Sequence, residues 1–187
     1  YDANGINAPI NCEFLHRESE ISEACNSIDD NRVTILTGPS GIGKTRLALE
    51  ACRKQDDEEV TVYCIKSNGN LLYEDIRYYI SGPGKYLIFF DDANMVASLD
   101  NVLNTILTLP KDYEVKILIT VRDYAQDGVI NLVSKYSIPN IIEIGRFKND
   151  ELEDILKNDL EILNPEYLKK ITEIANGNIR LAFLAGI

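Results

Sequence analysis

A chain of 187 residues holds one mid-sized domain, or one domain with a small appendage; 45% of it is hydrophobic and 26% charged, the balance of an ordinary globular protein. The formal net charge of -11 gives no electrostatic support for nucleic-acid binding, which asks for a basic face. Four cysteines (Cys12, Cys25, Cys52, Cys64) form no CxxC and His16 is the only histidine, so the pattern predicts reduced, mostly buried thiols in a cytoplasmic protein rather than a zinc site.

Residues 1–13 are polar and turn-prone and read as a linker. In "FLHRESEISEACNSI", Ile21, Ala24, Cys25 and Ile28 fall at helical spacing. Five apolar runs follow, "VTILTG", "VTVYCI", "YLIFFDD", "VKILITV" and "IIEI", most of them continuous, as in strands buried on both faces of a parallel sheet. Helical stretches separate them, notably "MVASLDNVLNTILTL" with Val96, Leu99, Leu103, Ile106 and Leu107 mostly on one side. Alternating strand and helix predict a doubly wound α/β sheet over residues 14–144.

After Ile144 the pattern is helical only, and we place a helical lid at residues 145–187. Leu152, Ile155 and Leu156 form a stripe in its first helix. The next is expected to start with Asn164 as N-cap and Pro165 at the first helical position, and to stop at Gly177. "NIRLAFLAGI" opens another helix. The missing initiator Met and the abrupt end lead us to expect a segment of a longer protein. No apolar run approaches membrane-spanning length, and the first residues lack the charged and apolar regions of a signal peptide.

"GPSGIGKT", Gly38 to Thr45, fits G-x-x-x-x-G-K-[ST] between a strand and a helix. Gly38, Gly41 and Gly43 permit a tight turn that brings backbone N–H groups to phosphate oxygens, and the following helix adds the positive end of its dipole. The predicted phosphate-contacting run is Gly38, Pro39, Ser40, Gly41, Ile42, Gly43, Lys44, Thr45 and Arg46. Lys44 would reach the β/γ phosphates and the Thr45 hydroxyl would ligate Mg²⁺. In "KYLIFFDDAN" four apolar residues run directly into Asp91, placed to hold that metal, and Asp92, placed as a catalytic base toward an attacking water. The chain has no guanine-reading NKxD, its acidic strand ends in DDAN rather than DxxG, and its eight arginines are scattered rather than gathered in a kinase lid. Adenine is the base left by exclusion, so ATP/ADP with Mg²⁺ are the expected cofactors.

"FLHRESEI", "GPSGIGKT", "FFDDAN", "ILITVRDY" and "GNIRLAFL" come in the order and spacing of the STAND class of AAA+-related ATPases, which includes the NACHT and NB-ARC proteins. The resemblance spans residues 14–187, and its "HRE" and "ITVRDY" flavour is most similar to bacterial STAND proteins of antiviral defence. It implies a P-loop fold with a five-stranded parallel sheet ordered 5-1-4-3-2, and an incomplete helical lid. By the same resemblance Arg17 would lie near adenine and ribose, with His16 where the family usually has Gly. Arg122 would be a sensor of the γ-phosphate at the end of the fourth strand, beside Thr120, unless it pairs with Asp123. Arg180 would be a second sensor, in a motif that lacks the proline of Gly-x-Pro.

The resemblance implies an ATP/ADP switch with slow hydrolysis. Its oligomerisation would activate an effector domain, on a signal from a sensor domain elsewhere in the polypeptide. An AAA+ motor or loader remodelling DNA or protein is the alternative, and a scaffold that has lost catalysis a third.

Overall fold

The computed structural model describes residues 14–56, 59–66 and 73–186; the expected linker and Cys12 lie outside them. In chain order the elements are α1 (Glu18–Asp30), β1 (Val33–Gly38), α2 (Lys44–Gln55), β2 (Val60–Lys66), α3 (Tyr73–Tyr79), β3 (Gly84–Asp91), α4 (Leu99–Leu107), β4 (Tyr113–Arg122), α5 (Gln126–Ser134), β5 (Asn140–Glu143), α6 (Asn149–Leu160), α7 (Pro165–Ala175) and α8 (Ile179–Gly186). No described helix is long and apolar enough to cross a membrane.

All five strands are parallel, in the order β2-β3-β4-β1-β5. The expected sheet and its order are therefore present. Parallel strands need crossovers, and the helices that supply them cover both faces. On one face Ile21, Ala24 and Ile28 of α1, with Leu47, Ala48 and Cys52 of α2, pack on Leu36, Leu87, Phe89 and Leu118. On the other, α3, α4 and α5 pack on Ile35, Ile88, Phe90, Ile117 and Ile119. Successive residues of β1 and β3 thus feed opposite cores, which is why Ile35–Leu36 and Leu87–Phe90 are unbroken apolar runs. β2 lies at the sheet edge and is only half-covered.

Two element boundaries differ from the sequence pattern. The helix expected from Met95 starts at Leu99; Ala93–Met95 form a 3-10 turn and Ser98 takes a left-handed φ of 55°, so Val96 is buried ahead of the helix rather than on it. In α7 the Asn164 carboxamide accepts from Glu166 and Tyr167 N–H as expected. The left-handed terminating residue is Asn176, with Gly177 next. The three C-terminal helices enclose a separate core of Phe147, Leu152, Leu156, Leu168, Ala182 and Phe183, against which Leu15 packs from the start of the described chain.

The cysteines depart from the expected burial. Among the described residues Cys25, Cys52 and Cys64 are free, but only Cys52 is buried, and Cys64 is exposed because it sits on the edge strand. Alternation puts Val60, Val62 and Cys64 on the α2 side of β2, facing Cys52. A hydrogen bond from the Cys52 thiol holds the Cys64 thiol down to about 7, and the same bond and burial push Cys52 up. Iodoacetamide alkylation of Cys64 should therefore rise with a midpoint near pH 7, and Cys52→Ala, which removes the donor, should move that midpoint upward. An unmoved midpoint would contradict the pairing.

Candidate functional site

Strands β1 and β4 end together, with Gly38 paired to Arg122, and β3 ends two residues earlier beside them, Asp91 following Phe90, whose partner is Ile119. The crevice beyond the carboxyl ends of such strands is where α/β sheets bind ligands. The loop from Gly38 into α2 opens there. Gly38 (φ 144°) could carry no side chain, since a Cβ would lie 2.5 Å from the Ile144 carbonyl oxygen of the chain leaving β5. Gly43 (φ 95°) precedes α2 in the left-handed region that glycine favours.

Lys44, the first residue of α2, is 6% exposed. Its ammonium donates to the carbonyls of Gly38 and Pro39, both at 2.7 Å. Burial pushes it below the ordinary lysine range, against the pull of Asp92, Asp123 and Asp91. A desolvated cation on a glycine-rich loop suits phosphate oxygens. Ile42 is fully buried and anchors the loop in the α1/α2 core.

A chain of hydroxyl bonds joins the strand ends. Thr45 Oγ1 donates to Asp91 Oδ1 at 2.7 Å, and Thr120 Oγ1 donates to the same oxygen at 2.8 Å. The Thr120 oxygen in turn accepts the Asp92 N–H at 2.9 Å. Among the described residues no group of three or more His, Cys, Asp or Glu side chains could hold a metal. One carboxylate with one hydroxyl is nevertheless the donor set that suits Mg²⁺, which takes few protein oxygens and completes its octahedron with phosphate and water.

Arg122 meets Asp92 and not Asp123: its Nη2 donates to Asp92 Oδ2 at 2.9 Å and its Nε to Oδ1 at 3.4 Å. Both side chains are 35% exposed, so the pair is reachable by a ligand. Asp92 has a φ of 46°, a left-handed conformation that Asp tolerates better than most residues. Arg46 lies one turn into α2 and bonds Glu50 at 2.9 Å.

Arg17 is buried, and its guanidinium is engaged on every side. It donates to the Gly145 carbonyl at 2.7 Å and the Ile42 carbonyl at 3.5 Å, pairs with Glu20, and lies 4.0 Å above the Phe147 ring centre. Here it braces the phosphate loop against the entry to α6. His16 has a φ of 59°, as suits a position where the resembled family has Gly, and its Nε2 pairs with Asp154 of α6 at 2.8 Å. The Arg180 side chain is exposed and forms no ion pair among the described residues, while its backbone N–H donates to the Gly41 carbonyl at 3.1 Å. Sequence reasoning missed Phe147 and Asn178, whose carboxamide donates to the Ser40 carbonyl at 2.8 Å. An Asn ahead of a helical run was a readable cap signal; its contact with the loop was not.

The fold and the phosphate loop define a P-loop NTPase module. A family model, Novel STAND NTPase 3, matches residues 15–162, and the chain belongs to that family. Among solved structures it is similar to the Aeropyrum pernix ORC1 protein in complex with DNA (TM-score 0.72, 17% identity, covering 95% of this chain and 60% of that one). It is also similar to RuvB of Thermotoga maritima, described as a Holliday junction branch migration motor (0.64, 16%, 89% and 59%). A third is a Walker-type ATPase of Pyrococcus abyssi (0.63, 12%, 92% and 67%). The chain spans about three fifths of the length of the first two. No curated protein matches it in sequence.

Thr120 is fully buried and serves both acidic residues, so Thr120→Val, equal in shape, should leave the Asp92 N–H without its partner. The expected loss is about 1–3 kcal/mol of unfolding free energy in urea. A loss indistinguishable from zero would contradict the network.

Proposed function

We propose that this chain is the ATP/ADP-binding switch of a STAND-type signalling or antiviral-defence protein, with residues 14–144 as nucleotide-binding unit and 145–187 as lid. The observation that carries the reading is the Arg122–Asp92 pair beside the buried Lys44. A γ-phosphate would compete with Asp92 for the Arg122 guanidinium, because bidentate arginine serves phosphate as readily as carboxylate. With ATP, Arg122 turns to the phosphate and Asp92 is released to accept a proton from the attacking water. With ADP, Arg122 returns to Asp92. Arg122 is thus the group whose contacts differ between the nucleotides, and only such a difference lets a nucleotide shift an equilibrium.

Lys44 pairs with the β/γ phosphates, the loop amides cradle them, and Thr45 with Asp91 hold Mg²⁺, which when bound neutralises phosphate charge. Asp at position 92 is one methylene shorter than Glu, which suits slow hydrolysis. Adenine is assigned by exclusion of a guanine-reading motif. Membership of the family supports assembly into homo-oligomers and effector and sensor domains in a longer polypeptide. The likeness to RuvB, a branch migration motor, favours a second reading, a motor, but the net charge of -11 weighs against DNA as its track.

Titration calorimetry tests the proposal. ADP and Mg²⁺–ATP should both bind, and Lys44→Ala should weaken both on the order of a hundredfold, the expected cost of removing one partner of a buried charge pair. Arg122→Ala should weaken ATP about tenfold more than ADP, the worth of one charge-assisted contact. Unchanged ATP affinity in Lys44→Ala would reject the site.

A further inference from the structure

The last helix of the lid begins on the phosphate loop itself. Asn178 stands just before α8, and its carboxamide faces two ways. Oδ1 accepts the Leu181 N–H at 3.1 Å, capping the helix, while Nδ2 donates to the Ser40 carbonyl at 2.8 Å. Two residues on, the Arg180 N–H donates to the Gly41 carbonyl at 3.1 Å. The approach is close: a Cβ on Gly41, whose φ is 81°, would lie 2.5 Å from Asn178 Oδ1.

The turn that carries Asn178 is fixed from behind. Gly177 accepts the Phe147 N–H at 3.0 Å, and Arg146 donates to the Asn176 carbonyl at 2.8 Å. A Cβ on Gly177 would lie 2.6 Å from both Arg146 Cβ and the Phe147 oxygen. Phe147 is in turn stacked under Arg17, which holds the Ile42 carbonyl of the same loop.

The consequence for the loop follows from peptide geometry. In a trans peptide the C=O and the next N–H point in opposite directions, and no described peptide is cis. Drawing the Ser40 and Gly41 carbonyls toward α8 therefore aims the Gly41 and Ile42 N–H groups away from it. We propose that Asn178 is a latch that ties the phosphate loop's amide orientation to the closed lid, so that lid closure and phosphate binding reinforce each other and nucleotide leaves as the latch opens. The second half of this inference rests on the nucleotide reading above; the latch itself does not.

Capping and latching are separable. Asp and Ser cap helices about as well as Asn, but Asp has no N–H to give Ser40, and the single short hydroxyl of Ser does not serve both partners. The experiment uses the full chain with Asn178→Asp and the uncharged Asn178→Ser. In nucleotide-free protein, hydrogen exchange should speed up about tenfold at the Arg180 amide, the worth of one hydrogen bond, while Leu181, still capped, stays protected. Release of a fluorescent ADP analogue should quicken by a similar factor in both variants. Wild-type exchange at Arg180 in both variants would overturn the latch and leave Asn178 a cap only. Faster exchange with unchanged release would overturn the coupling to nucleotide. If wild-type protein takes up no analogue, the nucleotide reading fails and the exchange result alone decides the latch.

Discussion

A buried ammonium sets the terms for this molecule. Placing the Lys44 ammonium against the end of β1, with the residue 6% exposed, costs several kcal/mol unless its protons find partners and its charge finds a field. The partners are the carbonyls of Gly38 and Pro39, reached because Gly38 takes a conformation no other residue would and the loop returns over the strand end. The field comes from Asp92, just past β3, Asp123, which follows β4, and Asp91, which ends β3. A parallel sheet in the order β2-β3-β4-β1-β5 is what brings those ends beside the loop. The apolar strands and two covering helical layers hold these charged groups together at one end of the sheet.

The same economy of partners links the core to the helices after β5. Arg17 gives its guanidinium to backbone oxygens of the phosphate loop and of the segment before α6, and its face to Phe147. His16 reaches Asp154, and Asn178 reaches Ser40. The Arg17 and Asn178 contacts come from opposite ends of the described chain and meet on the phosphate loop, while His16 ties the segment before α1 to α6. Movement of the helical trio is thus a movement of the loop's own hydrogen-bond partners.

What the sequence reveals divides along the line between local and distant. "GPSGIGKT" is legible because all its chemistry lies within eight consecutive residues, and "FFDD" because an apolar run ending in acid has few other uses in such a sheet. The buried faces of α1 and α6 are legible from period, and Asn164 from its capping position. The left-handed Ser98 and the short turn at Ala93–Met95 are not, because tertiary packing of Val96 overrides helical continuity. Partner choice is the larger gap. Arg122 has an adjacent Asp123 but takes Asp92, thirty positions away, because β3 and β4 are neighbours in the sheet. Arg17 is legible as a special residue from its family resemblance, yet its engagement with carbonyls and a ring depends on where Phe147 and Gly145 fold. The exposure of Cys64 follows only from the edge position of β2.

The most direct test of the central claim, that loop, acidic strand ends and lid form a nucleotide-holding switch, is chemical. Protein purified without added nucleotide is denatured, and the released small molecules are separated by ion-exchange chromatography and identified by mass. The account predicts one ADP per chain, held by the closed lid. A chain that releases nothing, and still releases nothing after incubation with ADP or ATP and Mg²⁺, would contradict it.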